Sequence, residues 1–243
     1  IVNYNVIKNE IVKFNNIAYE LNLPKLYIVG GLCRDIVFSD GVIDAIQDVD
    51  LTCCDGAKST ILGMLIGREL GAKISYFNNH CSIFYNGIKY DFSSGYVDDA
   101  VSDNPDRFKK EMLSRDFTLD ALLLDVDNDN IIDLTKRGVE DIKKGIISTV
   151  ISPEITFGSD PKRVLRAIEM STRFGFKIEE KSINYIINNY DFFNKYHNEN
   201  KSHSINMVEK SMNNSEKSTI EALMKTKVLY QIPLIGKFKD ILI

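Results

Sequence analysis

The sequence has no apolar run of the roughly 18 to 20 residues that are needed to span a bilayer. Its first residues also do not combine a basic region with a long apolar stretch, which is the pattern of a secretory signal. Both absences argue against a membrane or secreted protein. We therefore expect a cytoplasmic protein without a membrane partner.

Cysteine is scarce, and positive charge is not in excess. The four cysteines (Cys33, Cys53, Cys54 and Cys81) show no CxxC spacing and no accompanying histidine cluster, so neither a zinc site nor a disulfide framework is expected. The formal net charge of −4 excludes a protein that grips nucleic acid by its overall charge. Any binding of nucleic acid must depend on local basic patches.

What is present is an ordinary globular composition, with 44% hydrophobic and 26% charged residues in 243 residues, which suits one or two domains. In residues 1–152, short strand-forming runs alternate with helical patterns, and Asn86-Gly87 is a strong hairpin signal. We expect strands at 26–29, 48–52, 73–77, 81–85 and 88–92, and helices at 5–21, 32–38 and 59–70.

The second part, residues 153–243, has helical periodicity, with expected helices at 161–174, 181–190, 204–212 and 218–229. Its stretches rich in asparagine and lysine are interpreted as loops between helices. The predicted fold class is α+β, with a mixed-sheet head at 1–152 followed by an all-helical region at 153–243. The boundary is expected near residues 150 to 158.

Two acidic residues stand out on a predicted strand. Asp48 and Asp50 are two positions apart, so the strand's period of two puts both carboxylates on one face. Carboxylate oxygens suit magnesium and can hold it against a triphosphate. Taken alone, such a pair is more often a solvated feature of a strand end.

A double glycine lies upstream of this acidic pair. Gly30 and Gly31 follow a predicted strand and precede a predicted helix, so backbone N–H groups and the helix N-terminus can face an anion, with Arg34 one turn further on. The alternative is a simple tight turn, with Arg34 paired to Asp35. The strand, the double glycine, the Arg-Asp pair and the later acidic strand together form a much narrower pattern.

With these residues the sequence resembles the bacterial-type tRNA nucleotidyltransferases (CCA-adding enzymes) and poly(A) polymerases of the polymerase-beta nucleotidyltransferase superfamily. The resemblance rests on five ordered blocks between about residues 26 and 176. They are GGLCRD at 30–35, DVDLT at 48–52, SRDFTLDAL at 114–122, GVEDIKKGIISTV at 138–150 and SDPKRVLRA at 159–167.

The resemblance implies roles for several residues in the head. Asp91 would be a third carboxylate, either completing a site for two Mg²⁺ ions held by Asp48 and Asp50 or acting as a base for the RNA 3′ hydroxyl. Alternatively it is a solvated acid at a strand end. The triphosphate would face residues Gly30, Gly31, Arg34 and Arg115. Asp116 and Asp120 would lie near the ribose, or would instead be structural polar groups.

The last block can also be argued from chemistry. Asp160 before Pro161 predicts a helix start, which places Arg163 on the first turn beside the carboxylate. A carboxylate and a guanidinium can together accept from the amine and donate to the ring nitrogen of adenine or cytosine, and so reject guanine and uracil. Arg166 completes the nucleotide-binding set. The alternative is a simple cap, with Arg163 in solvent.

Some positions depart from the family pattern. Ser159, Ser114 and Asp120 replace a Glu, an Arg and an Asn, and Glu169 stands where the family has an Arg that reaches the nucleotide. The region after the nucleotide-binding helix resembles a neck and a truncated body. A homo-oligomer or a partner subunit is therefore an alternative source of the surface that binds tRNA.

The predicted function is a template-independent RNA nucleotidyltransferase that uses ATP and CTP, with CCA addition to the tRNA 3′ end preferred. The alternatives are a poly(A) polymerase and a non-catalytic RNA-binding relative. The complete set of carboxylates favours an enzyme, whereas Glu169 and the short C-terminal region favour the non-catalytic relative.

Overall fold

The computed structural model describes residues 3–41, 43, 45–78, 80–92 and 106–228. The chain divides into two compact units, Ile1–Ile142 and Lys143–Ile243, called here the head and the helical unit. This division precedes the boundary expected near residues 150 to 158, because the chain just after Lys143 pairs with a strand of the helical unit. No helix in the described ranges is long and apolar enough to cross a membrane.

The head contains strands and helices in mixed order. Its helices are α1 (Tyr4–Glu20), α2 (Gly31–Phe38), α3 (Gly56–Glu69), α4 (Arg107–Leu113) and α5 (Gly138–Lys144), and the last of these crosses the division between the units. Its strands are β1 (Tyr27–Val29), β2 (Asp48–Thr52), β3 (Lys73–Phe77), β4 (His80–Tyr85), β5 (Ile88–Phe92), β6 (Leu122–Asp125) and β7 (Asn130–Asp133). A short 3-10 helix covers Thr118–Asp120.

The seven strands form one mixed sheet in the order β3-β4-β5-β2-β1-β6-β7. The pairing of β2 with β5 is parallel, and the other pairings are antiparallel. The two-residue turn at Asn86-Gly87 joins β4 to β5, as its sequence predicts. Because β2 and β5 are adjacent, the acidic residues of both strands lie side by side.

One face of the sheet is buried beneath α1 and α3. Phe14 of α1 packs against Tyr90 of β5, with ring centroids 5.0 Å apart. The Tyr90 hydroxyl donates to Glu10, whose carboxylate also accepts from the Asn86 side chain at 2.6 Å. In α3, a Cβ at Gly63 would lie 2.7 Å from the Phe92 ring, so the helix needs glycine to approach the sheet. This packing fixes which face of β2 and β5 remains open.

The helical unit is built around α7 (Lys162–Phe174), which contacts α10 and α11. Its other elements are β8 (Ile146–Ile147), α6 (Pro153–Ser159), β9 (Lys177–Ile178), α8 (Glu180–Asn188), α9 (Tyr190–Glu199), α10 (Lys201–Asn214) and α11 (Glu216–Thr226). Helix α7 ends at Gly175, which has the left-handed conformation (φ 70°) that often terminates helices. The two short strands pair with each other in parallel.

The predicted α+β class is confirmed, and every strand and helix expected from the sequence is present with small shifts at its ends. The last expected helix ends earlier than predicted, at Thr226, and Leu229 lies outside the described residues. The stretch between the helices expected at 181–190 and 204–212 was interpreted as a loop, but most of it is helix α9. Helices α4, α5 and α6 and strands β6 to β9 were not expected from the sequence.

Candidate active site

The acidic pair lies on the open face of the sheet. Asp48 and Asp50 are exposed on β2, whereas Val49 between them is buried, which confirms the alternation that the sequence predicts. Asp48 makes no hydrogen bond or ion pair within the described parts of the chain. Two carboxylates therefore project in the same direction from one strand.

Asp91 is next to this pair and already has partners. It is in register with Asp50 across the parallel strands, while Lys89 is in register with Asp48. One oxygen of Asp91 accepts from the Ser82 hydroxyl, and the other accepts from Lys89 Nζ at 2.5 Å. The hydrogen bond to Asp91 raises the pKa of Lys89, and the charges of Asp48 and Asp50 add to this effect.

The start of α2 reaches the same place. Gly30 has φ 74° and ψ −133°, a conformation that side chains other than glycine rarely adopt, and it caps α2. A Cβ on Gly30 would lie 3.8 Å from Asp50 Oδ2 and 3.8 Å from Arg115 Nη1. The Asp50 carboxylate and the Arg115 guanidinium therefore both lie close to the N-terminus of α2.

Arg115 is held by a neighbouring helix. Its Nε donates to Glu111 of α4 at 3.1 Å, and Nη2 pairs with the same carboxylate. Burial would lower the pKa of Arg115, but the charges of Glu111, Asp50 and Asp116 raise it. Asp116 is buried and accepts from the Phe117 backbone N–H at 2.9 Å. Arg115 is thus a fixed positive charge beside the acidic pair.

Arg34 and Asp120 form a buried ion pair inside the head. Arg34 Nη1 donates to Asp120 Oδ1 at 2.8 Å, and the same guanidinium binds Asp35 at 2.9 Å. Arg34 is 5% exposed and Asp120 is 1% exposed. A Cβ at Gly31 would lie 3.3 Å from Arg34 Nη2, so Gly31 makes room for the folded-back side chain. These contacts tie α2 to the 3-10 helix.

Asp160, Arg163 and Arg166 belong to the helical unit. Asp160 Oδ1 accepts from the Lys162 backbone N–H at 3.1 Å, which is a capping bond, and α7 begins one residue later than predicted. Arg163 is buried and not in solvent: its Nη1 donates to the Thr156 carbonyl of α6 at 3.0 Å. Arg166 is exposed. The carboxylate and the guanidinium are therefore held by different contacts.

Glu169, the charge reversal noted in the sequence, is buried between two helices of the helical unit. Its Oε1 lies 3.5 Å from Lys210 Nζ and 3.4 Å from Asn214 Nδ2, both on α10. The negative charge therefore has local partners on α10.

Hard carboxylate oxygens fit a divalent ion, and Asp48 and Asp50 present two such groups on an open face beside Gly30. Among the residues that the structure describes, there is no group of three or more carboxylate, imidazole or thiol side chains placed to hold a metal ion. The two-carboxylate pair is present, but Asp91 is engaged by Lys89 and Ser82. The residues present therefore fit a divalent metal ion that is bound by two carboxylates, Asp48 and Asp50.

Three residues at this site were not expected from the sequence: Ser82, Lys89 and Glu111. Ser82 and Lys89 could have been predicted from the sequence. A two-residue turn at Asn86-Gly87 sets Ser82 opposite Asp91, and the strand period of two puts Lys89 on the same face as Asp91. Glu111 precedes Arg115 by four residues, which is helical pairing distance, but helix α4 itself was not predicted.

A mixed sheet that presents an acidic pair beside a strand, double glycine and helix is the arrangement of a nucleotidyltransferase head. Residues 26–148 match the family model described as the Poly A polymerase head domain. The chain belongs to this family. Nucleotidyltransferases of this family use divalent metal ions.

Curated relatives and solved structures are similar to this chain. The CCA-adding enzyme of Lactobacillus helveticus is 30% identical over 177 residues, which cover 70% of this chain and 42% of that enzyme. The mitochondrial CCA tRNA nucleotidyltransferase of Saccharomyces cerevisiae is 41% identical over 71 residues, 29% of this chain and 13% of that protein. This chain thus spans less than half of either relative.

Among solved structures, the Bacillus stearothermophilus CCA-adding enzyme in complex with CTP has a TM-score of 0.76 at 22% identity. The match covers 95% of this chain and 55% of that one. A tRNA nucleotidyltransferase complexed with a primer tRNA and an incoming ATP analog has a TM-score of 0.67 at 24% identity, covering 90% of this chain and 62% of that one. These similarities establish the fold.

Proposed function

We propose that this chain is a template-independent RNA nucleotidyltransferase that adds CMP and AMP to RNA 3′ ends, and that its RNA is a tRNA receiving CCA. The observation that carries the proposal is the exposed pair Asp48 and Asp50, beside Gly30 and Arg115, in a member of the Poly A polymerase head-domain family. Similarity to CCA-adding enzymes favours tRNA over other RNA.

Asp48 and Asp50 are the proposed ligands of two magnesium ions, with Asp91 as a third carboxylate. When bound, these ions neutralise the triphosphate and activate the 3′ hydroxyl. Asp91 is alternatively the group that accepts the hydroxyl proton. In either role Asp91 acts beside the Lys89 ammonium, whose positive charge opposes a metal ion at the same carboxylate.

The start of α2 is the proposed triphosphate site. The backbone N–H groups at Gly30 and Gly31, with the helix N-terminus behind them, favour an anion beside Asp50. Arg115 contributes a fixed guanidinium on the same side. Arg34 and Asp120 support this turn from within the core, and Asp116 holds the following backbone, so their contribution to nucleotide binding is indirect.

Base selection is assigned to Asp160, Arg163 and Arg166 of the helical unit. Asp160 offers a carboxylate to the exocyclic amine that adenine and cytosine share. Its capping bond uses Oδ1, which leaves Oδ2 for the base. Arg163 is anchored through Nη1 and has further N–H groups for the ring nitrogen. The pair thus selects ATP and CTP over GTP and UTP.

The substrates are ATP, CTP and the 3′ end of tRNA. Because the chain spans only part of its relatives, a homo-oligomer or a partner subunit is a proposed source of further tRNA contacts. The cytoplasm is the proposed location, whereas the Saccharomyces cerevisiae relative is mitochondrial.

The test is incubation of the protein and Mg²⁺ with each radiolabelled nucleotide and a tRNA that lacks its terminal CCA. We expect CMP and AMP to be added in a defined number, and GTP and UTP to be poor substrates by about 1 to 3 kcal/mol. Unlimited addition of AMP alone would identify a poly(A) polymerase. If neither the parent nor the Asp48→Asn variant adds any nucleotide to the tRNA, the chain is a non-catalytic relative.

Asp160→Asn separates base reading from capping, because the amide still caps the helix but can donate as well as accept. We expect relatively better use of GTP or UTP at unchanged thermal stability. If relative nucleotide use stays the same, Asp160 serves only as a cap.

A further inference from the structure

Lys89 brings a positive charge to the open face where metal ligands are proposed. It is on β5, in register with Asp48, and its Nζ lies 2.5 Å from Asp91 Oδ2. Its side chain is only 37% exposed, so the ammonium is partly withdrawn from solvent. The strand alternation places Lys89 and Asp91 on the same face as the acidic pair.

Both oxygens of the Asp91 carboxylate accept a hydrogen bond. Ser82 on the neighbouring strand donates to Oδ1, and Lys89 donates to Oδ2. Each carboxylate oxygen has a second lone pair, so the hydrogen bond from the neutral Ser82 hydroxyl leaves Asp91 able to bind a metal ion. The ammonium on Oδ2 is different, because it places a positive charge where a metal ion would bind. Of the two partners, Lys89 is the one that directly repels a cation, because it is itself charged.

We propose that Lys89 is a positioning residue that competes with the metal for Asp91, so that Asp91 joins Asp48 and Asp50 only after the ammonium releases it. The inference rests on the proposed function in one respect, that Asp48 and Asp50 are metal ligands. Asp91 is in register with Asp50 on the neighbouring strand, yet its carboxylate is bonded to an ammonium. Lys89 thus sets the metal affinity of the nucleotide-free protein.

The chain offers a matched control in the same row of the sheet. Lys73 pairs with Phe84, which pairs with Lys89 on the next strand, so both lysines lie on one face. Lys73 Nζ lies 5.8 Å from the centroid of the Phe84 ring, and it has no bonded carboxylate in the described parts of the chain. Replacing Lys73 changes the net charge by the same amount without freeing Asp91.

The experiment measures Mn²⁺ binding to the whole chain without nucleotide, by electron paramagnetic resonance, for the parent, Lys89→Met, Lys89→Arg and Lys73→Met. We expect Lys89→Met to bind Mn²⁺ about tenfold more tightly, on the order expected when one nearby positive charge is removed. Lys89→Arg and Lys73→Met should stay within about twofold of the parent, because one retains the ion pair and the other lies outside it. Unchanged or weaker binding by Lys89→Met would overturn the proposal.

A double-variant cycle tests whether the effect passes through Asp91. Lys89→Met should give no gain when it is combined with Asp91→Asn, because no carboxylate remains to be released. A tenfold gain that persists in the double variant would mean that Lys89 acts only through its charge on Asp48 and Asp50, and the proposal would be wrong.

Nucleotide transfer is measured in parallel to separate this inference from the proposed function. If the parent adds no nucleotide but Lys89→Met still binds Mn²⁺ more tightly, the proposed function fails and the competition stands. If the parent adds CMP and AMP but the Mn²⁺ affinities do not differ, the proposed function stands and the competition between Lys89 and the metal is disproved.

Discussion

The head and the helical unit place their charged residues by different means. In the head, the alternation of a strand decides that Asp48 and Asp50 face outward, and the parallel neighbouring strand places Lys89 and Asp91 beside them. In the helical unit, the surroundings of Arg163 depend on α6, a separate helix whose Thr156 carbonyl receives its guanidinium. A charge on a strand is therefore directed by local geometry, whereas a charge on a helix is directed by what packs against it.

The largest effect is expected at the strand. Asp48→Asn and Asp50→Asn should each lower nucleotide transfer by at least about 1,000-fold, roughly 4 kcal/mol, because one lost carboxylate disrupts the metal site. The fold should be unaffected, since both residues are exposed. Steady-state kinetics and urea unfolding test this, with Glu69→Gln, an exposed carboxylate of α3, as the control. Unchanged turnover in either variant would disprove the metal role.

A buried charge in the head should affect stability next most strongly. Arg34→Met leaves Asp120 buried without its guanidinium and should lower the free energy of unfolding of the head by about 3 kcal/mol. Replacing both residues, as Arg34→Met with Asp120→Leu, should restore most of this stability. Urea unfolding measures both variants. Full stability of the single variant together with weaker ATP binding would instead make Arg34 a direct phosphate ligand.

The helical unit should respond to pH through His197, whose pKa burial lowers to about 4, with a smaller effect from the charge of His203. The unfolded chain takes up this proton near pH 6.5, so stability is lost as the pH falls from 6.5 towards 4. The loss due to His197 should be about 2 kcal/mol at pH 5.

Hydrogen exchange of the amides in α9 and α10 at pH 7 and pH 5 measures this loss. His197→Gln should remove that part of the pH dependence, whereas His203→Gln, at an exposed position, should retain most of it. Equal pH dependence in the parent and His197→Gln would show that His197 is not the responsible group.

The smallest effect is expected at Arg163. Arg163→Met loses the bond to the Thr156 carbonyl and should destabilise the helical unit by about 1.5 kcal/mol. Arg166→Met, at an exposed position, should change stability by less than about 0.5 kcal/mol. Thermal unfolding compares the two variants. If Arg163→Met leaves stability intact but alters the relative use of CTP and UTP, the Arg163 guanidinium contributes to recognition of the base and not to the stability of the contact with α6.

Much of the head could be predicted because its signals are local. The alternation of Asp48, Val49 and Asp50 predicted the open face, and Asn86-Gly87 predicted the hairpin. The pairing of Arg34 with Asp120 was not predictable in this way. It joins residues far apart in the sequence, and nothing near either residue indicates the other.

The missed helices have weak local signals. Helix α6 has seven residues, too few for a clear period, although Ser152 and Pro153 provide a good start. Helix α9 contains asparagine, aspartate and aromatic residues of modest helix propensity, and burial of Phe193 and His197 accompanies its folding. Tertiary packing, which the local sequence does not show, stabilises such segments.

All four cysteines of the chain belong to the head and are buried as free thiols, and burial raises the pKa of each one. Thiolate is the reactive form, so alkylating reagents should modify the folded head only slowly. The helical unit has no cysteine at all. The rate at which a thiol reagent labels this protein therefore reports the opening of the head alone, without any engineered probe.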